Sequence, residues 1–364
     1  MNIVIFGLCI TSSWGNGHAT TYRALAQALR QRGHRITFFE RDAEWYASNR
    51  DLPGPGFCEV RIYDDWQKVL PEVRRKLAEA DVAMAGSFFP DGVAAIREML
   101  DSPTAVKAFY DIDTPITLNA LRSQGRTSYL EAEQLPGLDL YFSFTGGPAL
   151  EELESLGVPC AVPLYCSVDP AAHRPLPPSP KFACDLSYMG TYAPDRQPKL
   201  EELLCSPARA LPQHKFFVAG PQYPGSIAWP KNVTREIHLE PKFHALLYSS
   251  SRLVLNVTRR DMVMAGYSPS VRLFEAAACG AAIVSDSWPG LDEFLVPGKE
   301  ILLASGGGDV ESWITGLSSR ELASIGEAAR ARVLAEHTSE VRARQWEAEV
   351  EAARAPAATS AATM

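Results

Sequence analysis

Short, wholly apolar runs alternate with amphipathic helical patterns along almost all of the 364-residue chain. In the first half the strand-like runs are Asn2–Leu8, Arg35–Phe39, Glu59–Ile62, Val82–Ala85, Ala105–Tyr110, Leu138–Ser143 and Pro159–Val162. The first helical pattern, Ala19–Gln31, puts Leu25, Ala28 and Leu29 on one face. Strands that are apolar on every residue, with helices between them, belong to a parallel sheet covered on both faces. The expectation is a doubly wound α/β domain.

Residues 163–181 break the pattern, reading PLYCSVDPAAHRPLPPSPK. Proline fixes φ and removes a donor, so this stretch suits neither a helix interior nor a central strand. It reads as an interdomain linker over 166–182. The alternation then restarts, with strand-like runs at Leu186–Met189, Lys215–Val218, Thr234–Ile237, Leu253–Asn256, Ala282–Ser285 and Ile301–Leu303. Helical patterns fall at Gln197–Leu204, Lys242–Ser249 and Val271–Cys279, and again at Ser318–Glu336 and Ser339–Ala353. The expected organisation is two doubly wound domains, 1–165 and 183–337, with a low-complexity tail over 355–364 read as disordered.

Composition excludes other classes. With 46% apolar and 21% charged residues the chain is neither a disordered nor a fibrous sequence. A net charge of -8 argues against a dedicated nucleic-acid binder, so no nucleic-acid partner is expected. No apolar run reaches the roughly 18–20 residues that span a bilayer, and the apolar start lacks the basic region of a signal peptide. The seven cysteines never form a C-x-x-C pair, which fits reduced thiols in a cytoplasm. The histidines form no H-E-x-x-H or H-x-x-x-H pair, so no metal site is expected.

Ligands of open α/β sheets bind beyond the carboxyl ends of the strands, and four loops there carry candidate chemistry. The first, Thr11–His18, contains Gly15 and Gly17 and opens a helix at His18. Glycines allow close backbone approach, and helix N-termini attract anions. Glu40 after the second strand imitates the ribose-binding acid of a dinucleotide fold, but the third glycine of that fingerprint is missing. His18 is either a general base or a helix cap. The second loop places Asp111 and Asp113 before Pro115; Asp113 is either a cleft carboxylate or an N-cap. The third, Gly190–Gln197, puts Arg196 at a helix start, where a guanidinium can grip a diphosphate.

The fourth, residues 266–298, is the richest. Ser268-Pro269-Ser270 signals a helix start, with Ser268 as cap. Arg272 and Glu275 are three apart and share a face. The helix N-terminus with Arg272 forms an anion site, and Glu275 can accept from a ribose diol. The plainer reading is a packed helix carrying a surface Arg–Glu pair.

The stretch SPSVRLFEAAACGAAIVSDSWPGLDEFL resembles the donor-nucleotide signature of retaining GT-B glycosyltransferases, and resembles still more the CgeB-like, GT4-like group. SSWGNGHATTYRALAQALRQRGHRITFFERD resembles that group's first βαβ unit, and SVDPAAHRP its linker. The resemblance implies two Rossmann-like domains facing across a cleft, with a C-terminal helix at about 338–354 crossing back to the first. It also implies a metal-independent, retaining transfer from a nucleoside-diphosphate sugar, without a further cofactor.

Glu275 matches the second Glu of the family's E-x7-E motif, which holds the donor ribose; Tyr267 stands where the first Glu should be. Arg196, Ser270 and Arg272 fall near the donor diphosphate, and Gly290, Leu291 and Asp292 near the donor sugar. His238 falls near the nucleobase position but reads better as an ordinary loop residue. His18 and Asp113 would orient the acceptor or the sugar, and His18 would be the base if the enzyme inverts. Three other readings stand beside this one: a nucleotide-sugar 2-epimerase on the same fold, an NAD-dependent oxidoreductase, and a non-catalytic binding module. The acceptor and the oligomeric state are left open.

Overall fold

The computed structural model describes residues 1–15 and 17–355. The tail expected over 355–364 lies, from 356 on, outside the described residues. The chain forms two compact units, residues 1–165 with the segment from Glu340 onward, and residues 166–339.

The first unit is built on seven parallel strands: β1 (Asn2–Phe6), β2 (Arg35–Arg41), β3 (Glu59–Tyr63), β4 (Val82–Gly86), β5 (Val106–Asp111), β6 (Leu140–Ser143) and β7 (Ala161–Pro163). Their order is β3-β2-β1-β4-β5-β6-β7, so the winding reverses between β1 and β4. Phe6 pairs with Phe39 on one side and Ala85 on the other, which places β1 at the centre. Phe6, Phe39, Trp66 and Phe89 then pack ring against ring over one face of the sheet. The last helix, Ser339–Arg354, belongs to this unit from Glu340 on. Its Trp346 is fully buried against Phe142 and His34, and Glu347 binds both Arg32 and His34.

The second unit has six parallel strands: β8 (Cys184–Met189), β9 (Phe216–Ala219), β10 (Val233–Glu236), β11 (Ser251–Asn256), β12 (Ala282–Ser285) and β13 (Leu302–Leu303). The order β10-β9-β8-β11-β12-β13 reverses between β8 and β11. In doubly wound sheets such reversal points open a crevice at the carboxyl ends of the strands. Each strand expected from the sequence is present, with ends moved by a residue or two. Pro159, for example, stays outside β7.

Three expectations need correction. The helix expected over Gln197–Leu204 is a helical run to Ala210 with a wide turn at Glu201–Cys205, where the Ser206 amide reaches back to Glu201. Pro207, one residue on, cannot donate, and the wide turn takes up the mismatch. The helix after Ser268-Pro269-Ser270 starts at Val271 as expected, but Ser270, not Ser268, is its N-cap, and neither hydroxyl caps it. The segment 166–182 is also more than a spacer. Val168 forms a parallel bridge with Thr338, and the Leu176 and Ser179 amides donate to Ser249 and Ser250. Among the described residues, no helix is long and apolar enough to cross a membrane.

Candidate functional site

In the first unit the loop after β1 is shaped by Glu40. That carboxylate is fully buried and accepts the Ile10 amide (2.7 Å), the Thr11 amide (3.0 Å) and the Thr11 hydroxyl (2.5 Å). Glu40 is therefore spent on the start of the loop after β1 and is not placed to receive a dinucleotide ribose. Gly15 and Gly17 are exposed, and a Cβ on either would meet nothing within 4 Å.

His18 and Asp113, 95 residues apart, come together: His18 Nε2 lies 2.8 Å from Asp113 Oδ2, and both side chains are largely buried. Asp113 ends the β5 loop at the N-cap of the Thr114–Gln124 helix but does not cap it through its side chain. Asp111 is fully buried, accepting from Tyr141 (2.6 Å), Thr117 (3.0 Å) and the Asp113 amide (3.1 Å). Burial pushes its carboxyl up to about 6, against the lowering effect of those donors. The two aspartates thus do not form a paired metal site: one is locked in the sheet, the other faces His18. Phe88, at the end of β4, sets its ring edge against His18 with 5.9 Å between centroids.

In the second unit the carboxyl ends of β8, β11 and β12 converge on Asn256, which the sequence reading did not single out. Asn256 Oδ1 accepts from the Ser270 hydroxyl (2.7 Å) and from Arg272 Nη1 (2.8 Å), while its amide nitrogen donates to Ser285 (2.9 Å). Arg272 also donates to the Met189 carbonyl (2.6 Å), and its guanidinium lies over the Tyr188 ring. Its Nη2 comes within 2.9 Å of where a Cβ on Gly190 would be, so the β8 turn lies directly against this arginine.

Arg272 and Glu275 are both buried, which corrects the plainer expectation of a surface pair. Glu275 accepts from Tyr248 (3.2 Å), and His173 Nε2 lies 3.7 Å away. Burial first, then the Glu275 charge, drives the Tyr248 phenol well above its usual range. Asp286 after β12 accepts from the Thr258 hydroxyl (2.9 Å), and burial raises its pKa.

Arg196 bends onto its own loop, donating to the Thr191 carbonyl, while its buried Nε has no partner among the described residues. Tyr267 and Gly290 meet. Tyr267, at φ 47°, donates its amide to the Pro289 carbonyl (2.7 Å), and a Cβ on Gly290 would lie 2.4 Å from the Tyr267 ring. Leu291 is buried, with its amide directed at the Trp288 carbonyl (3.3 Å), and Asp292 is exposed. His238 is exposed. Among the described residues, His173, His244 and Glu275 form the group that could hold a metal ion, with ligand atoms within 4.8 Å of one another. That group would take the same carboxylate that the ribose reading assigns.

Comparisons with known proteins bear on this arrangement. Solved structures align with the chain over nearly its whole length. A sucrose-phosphate synthase from Thermosynechococcus elongatus is 14% identical, with 96% of this chain and 98% of that one covered at a TM-score of 0.67. The Anabaena protein HepE in complex with UDP and glucose is 13% identical, with 97% and 100% covered at 0.68. An alpha-glucosyltransferase in complex with UDP and DNA is 12% identical, with 96% and 99% covered at 0.67.

The fold is GT-B.

Its two sheets, of seven and six parallel strands, are those of GT-B glycosyltransferases. A family described as "Glycosyl transferase-like" matches residues 196–348 of this GT-B chain, a span that takes in Arg196, Asn256, Arg272 and Glu275. No curated protein matches the sequence.

Proposed function

We propose that the chain is a glycosyltransferase that takes a sugar from a nucleoside diphosphate, with UDP as the nucleotide. The observation that carries this reading is the buried set around Asn256, with Ser270 and Arg272 at the start of one helix and Glu275 one turn in. It lies at the reversal point of a GT-B sheet, and two of the similar structures hold UDP. The helix N-terminus and the Arg272 and Arg196 guanidinia are positive groups fixed in advance for a diphosphate. Glu275, as a buried acceptor, suits a ribose diol.

The transfer breaks the bond between the anomeric carbon and the diphosphate oxygen, and the electron pair leaves on that oxygen. Pre-organised donors stabilise this charge as it develops, and they do so most strongly in a dry site. Arg196, Arg272 and the amides at Val271 fill that role in place of a metal. The acceptor oxygen forms the new bond to the anomeric carbon. In the retaining reading its proton passes to the departing diphosphate oxygen. A second reading is favoured by one observation, the 2.8 Å contact of His18 with Asp113. A carboxylate that orients a histidine makes it a general base, which would take the acceptor proton and invert the centre. Glu40 removes the support for an oxidoreductase. That none of the seven cysteines forms a disulfide suits a reducing compartment such as the cytoplasm.

The test is thermal unfolding with UDP, GDP and dTDP, followed by UDP calorimetry on Glu275→Gln and Arg196→Ala. UDP alone should stabilise the protein strongly, and each variant should lose about tenfold or more in affinity. Unchanged affinity in both variants removes the donor assignment. The anomer formed, read by NMR, decides between retention and inversion.

A further inference from the structure

His173 is 8% exposed, and neither of its ring nitrogens has a hydrogen-bond partner among the described residues. A buried polar group left unpaired costs about 1–3 kcal/mol, so two on one ring call for a partner from outside the chain. The local chain holds this residue firmly. Asp169 accepts the Ala171 amide on its side chain and the His173 amide on its carbonyl, a tight turn that presents His173 just ahead of Pro175.

Two more metal-binding groups lie beside it. Glu275 Oε1 is 3.7 Å from His173 Nε2, too far for a hydrogen bond, and His244 completes a set whose ligand atoms fall within 4.8 Å of one another. All three residues belong to the second unit, on three separate elements: the segment 166–182, the start of the helix His244–Ser250 and the middle of the helix Val271–Ala278. Their other atoms are already oriented. His244 Nε2 lies 3.1 Å from the Leu239 carbonyl, an acceptor, so Nε2 carries the proton and Nδ1 keeps its lone pair. Tyr248, one turn along the same helix, donates to Glu275 Oε2 at 3.2 Å and leaves Oε1 free. A histidine that donates its other nitrogen to a carbonyl, and a carboxylate steadied by a hydroxyl, are the outer supports found around ligating side chains.

The 3.7 Å edge is close to the about 3.4 Å that bonds of about 2.1 Å set between two ligands of a tetrahedral ion. The wider edges close with about 1 Å of side-chain movement. Two imidazoles and one carboxylate suit Zn2+, whereas Mg2+ and Ca2+ prefer sets made of oxygen alone.

We propose that His173, His244 and Glu275 form a zinc site with water in the fourth position, and that zinc and the donor nucleotide exclude each other there. The exclusion rests on the transferase reading, which gives Glu275 to the ribose; the metal site rests on the three side chains alone. Tyr248 already holds Oε2, so ribose and ion meet at Oε1. An ion on that oxygen draws off the charge a ribose hydroxyl would bond, and seats its own water in that place. Zinc is then an inhibitor of the transferase, not a participant in transfer.

The experiment titrates zinc chloride into the tag-free full chain without nucleotide, by calorimetry. It is repeated with cobalt chloride, whose visible spectrum separates four-coordinate from six-coordinate sites. Expected are one ion per chain at micromolar affinity or tighter, four-coordinate cobalt bands, and no competition from millimolar Mg2+. His173→Gln and His244→Gln should each lower zinc affinity about 100-fold or more, and Tyr248→Phe, which removes only the hydroxyl, about tenfold. The cobalt spectrum of the wild type keeps the test independent of how the variants fold. Six-coordinate cobalt, or zinc affinity unchanged in both histidine variants, overturns the site. UDP affinity is then measured with and without one equivalent of zinc, in wild type and in His173→Gln. Zinc should weaken UDP about tenfold or more in the wild type only, the variant controlling for zinc held by the diphosphate itself. Zinc binding that leaves UDP affinity unchanged overturns the exclusion and removes the ribose role of Glu275. UDP stabilisation with no zinc binding sinks this inference alone, and zinc binding without UDP stabilisation leaves the site and sinks the transferase.

Discussion

Asp111 and Asp113 stand two residues apart at the same strand end, and their surroundings separate them. Asp111 is sealed in the sheet with its carboxyl raised to about 6, whereas Asp113 reaches His18. Between the ordinary aspartate range near 4 and about 6, the unfolded chain has released this proton while the folded chain keeps it. Asp111 therefore makes stability fall as pH rises through that window, by up to about 3 kcal/mol, and adds no slope above it. Carboxylates held low, such as Asp51 beside Arg23, have the opposite effect at lower pH, so the two proteins must be compared with each other. Urea unfolding at pH 5 and pH 7.5 should show wild type losing stability relative to Asp111→Asn as pH rises. An equal difference at both pH values would mean that Asp111 ionises normally. His18→Ala and Asp113→Asn should each lower kcat about 100-fold or more under the general-base reading, with UDP affinity unchanged. A loss below about tenfold would favour proton transfer to the leaving diphosphate. The chemical character of both residues was legible in the sequence, but their contact was not, because only folding brings β5 beside the loop after β1. Asn256 was illegible for a different reason: as a single amide closing an apolar strand, it acquires meaning only when Ser270 and Arg272 turn toward it.

The strands were the most legible elements, because burial on both faces demands runs apolar at every position. Where the chain departs from expectation, a specific hydrogen bond decides. Ser270 reads as part of a cap, yet its hydroxyl turns to donate to Asn256 and accepts no helix amide, at the start of the helix Val271–Ala278. The loop holding Gly15 and Gly17 looked like a phosphate cradle, and at its start Glu40 claims the Ile10 and Thr11 amides. No spacing rule announces such a capture. Glu40→Ala should strand three buried donors and cost about 3 kcal/mol or more by urea unfolding. The helix Ser319–Glu336 shows the reverse case, a local signal that is obeyed: Ser318 and Glu321 form a reciprocal capping box. That helix lies on the turn closing the helix Val271–Ala278, where a Cβ on Gly326 would come 2.1 Å from the Gly280 carbonyl. Gly326→Ala must push backbone from backbone, and a loss of about 1–3 kcal/mol is expected. An unchanged melting temperature would show that the two helices can part freely.

At the scale of the whole molecule, each unit carries a core of its own. One core is dominated by the aromatic stack of Phe6, Phe39, Trp66 and Phe89, the other by aliphatic residues such as Leu186, Leu253, Leu255 and Val284. The last helix ties a late stretch of sequence to the first core through Trp346, fully buried, and through Glu347 on Arg32 and His34. The proposed UDP ligands Arg196, Ser270, Arg272 and Glu275 all belong to the second unit. Two cores with separate ligands should respond separately. Calorimetric unfolding should resolve two transitions, with Trp346→Ala lowering one by the about 3–5 kcal/mol of a large buried deletion. UDP at about 100 times its dissociation constant adds about 2.7 kcal/mol to whatever binds it. For a unit of this size that is a rise of about 5–10 °C, confined to the transition that Trp346→Ala leaves alone. If UDP instead raises the transition lowered by Trp346→Ala and leaves the other in place, the nucleotide sits on the first unit, and the assignment of the donor to the Asn256 cluster is lost.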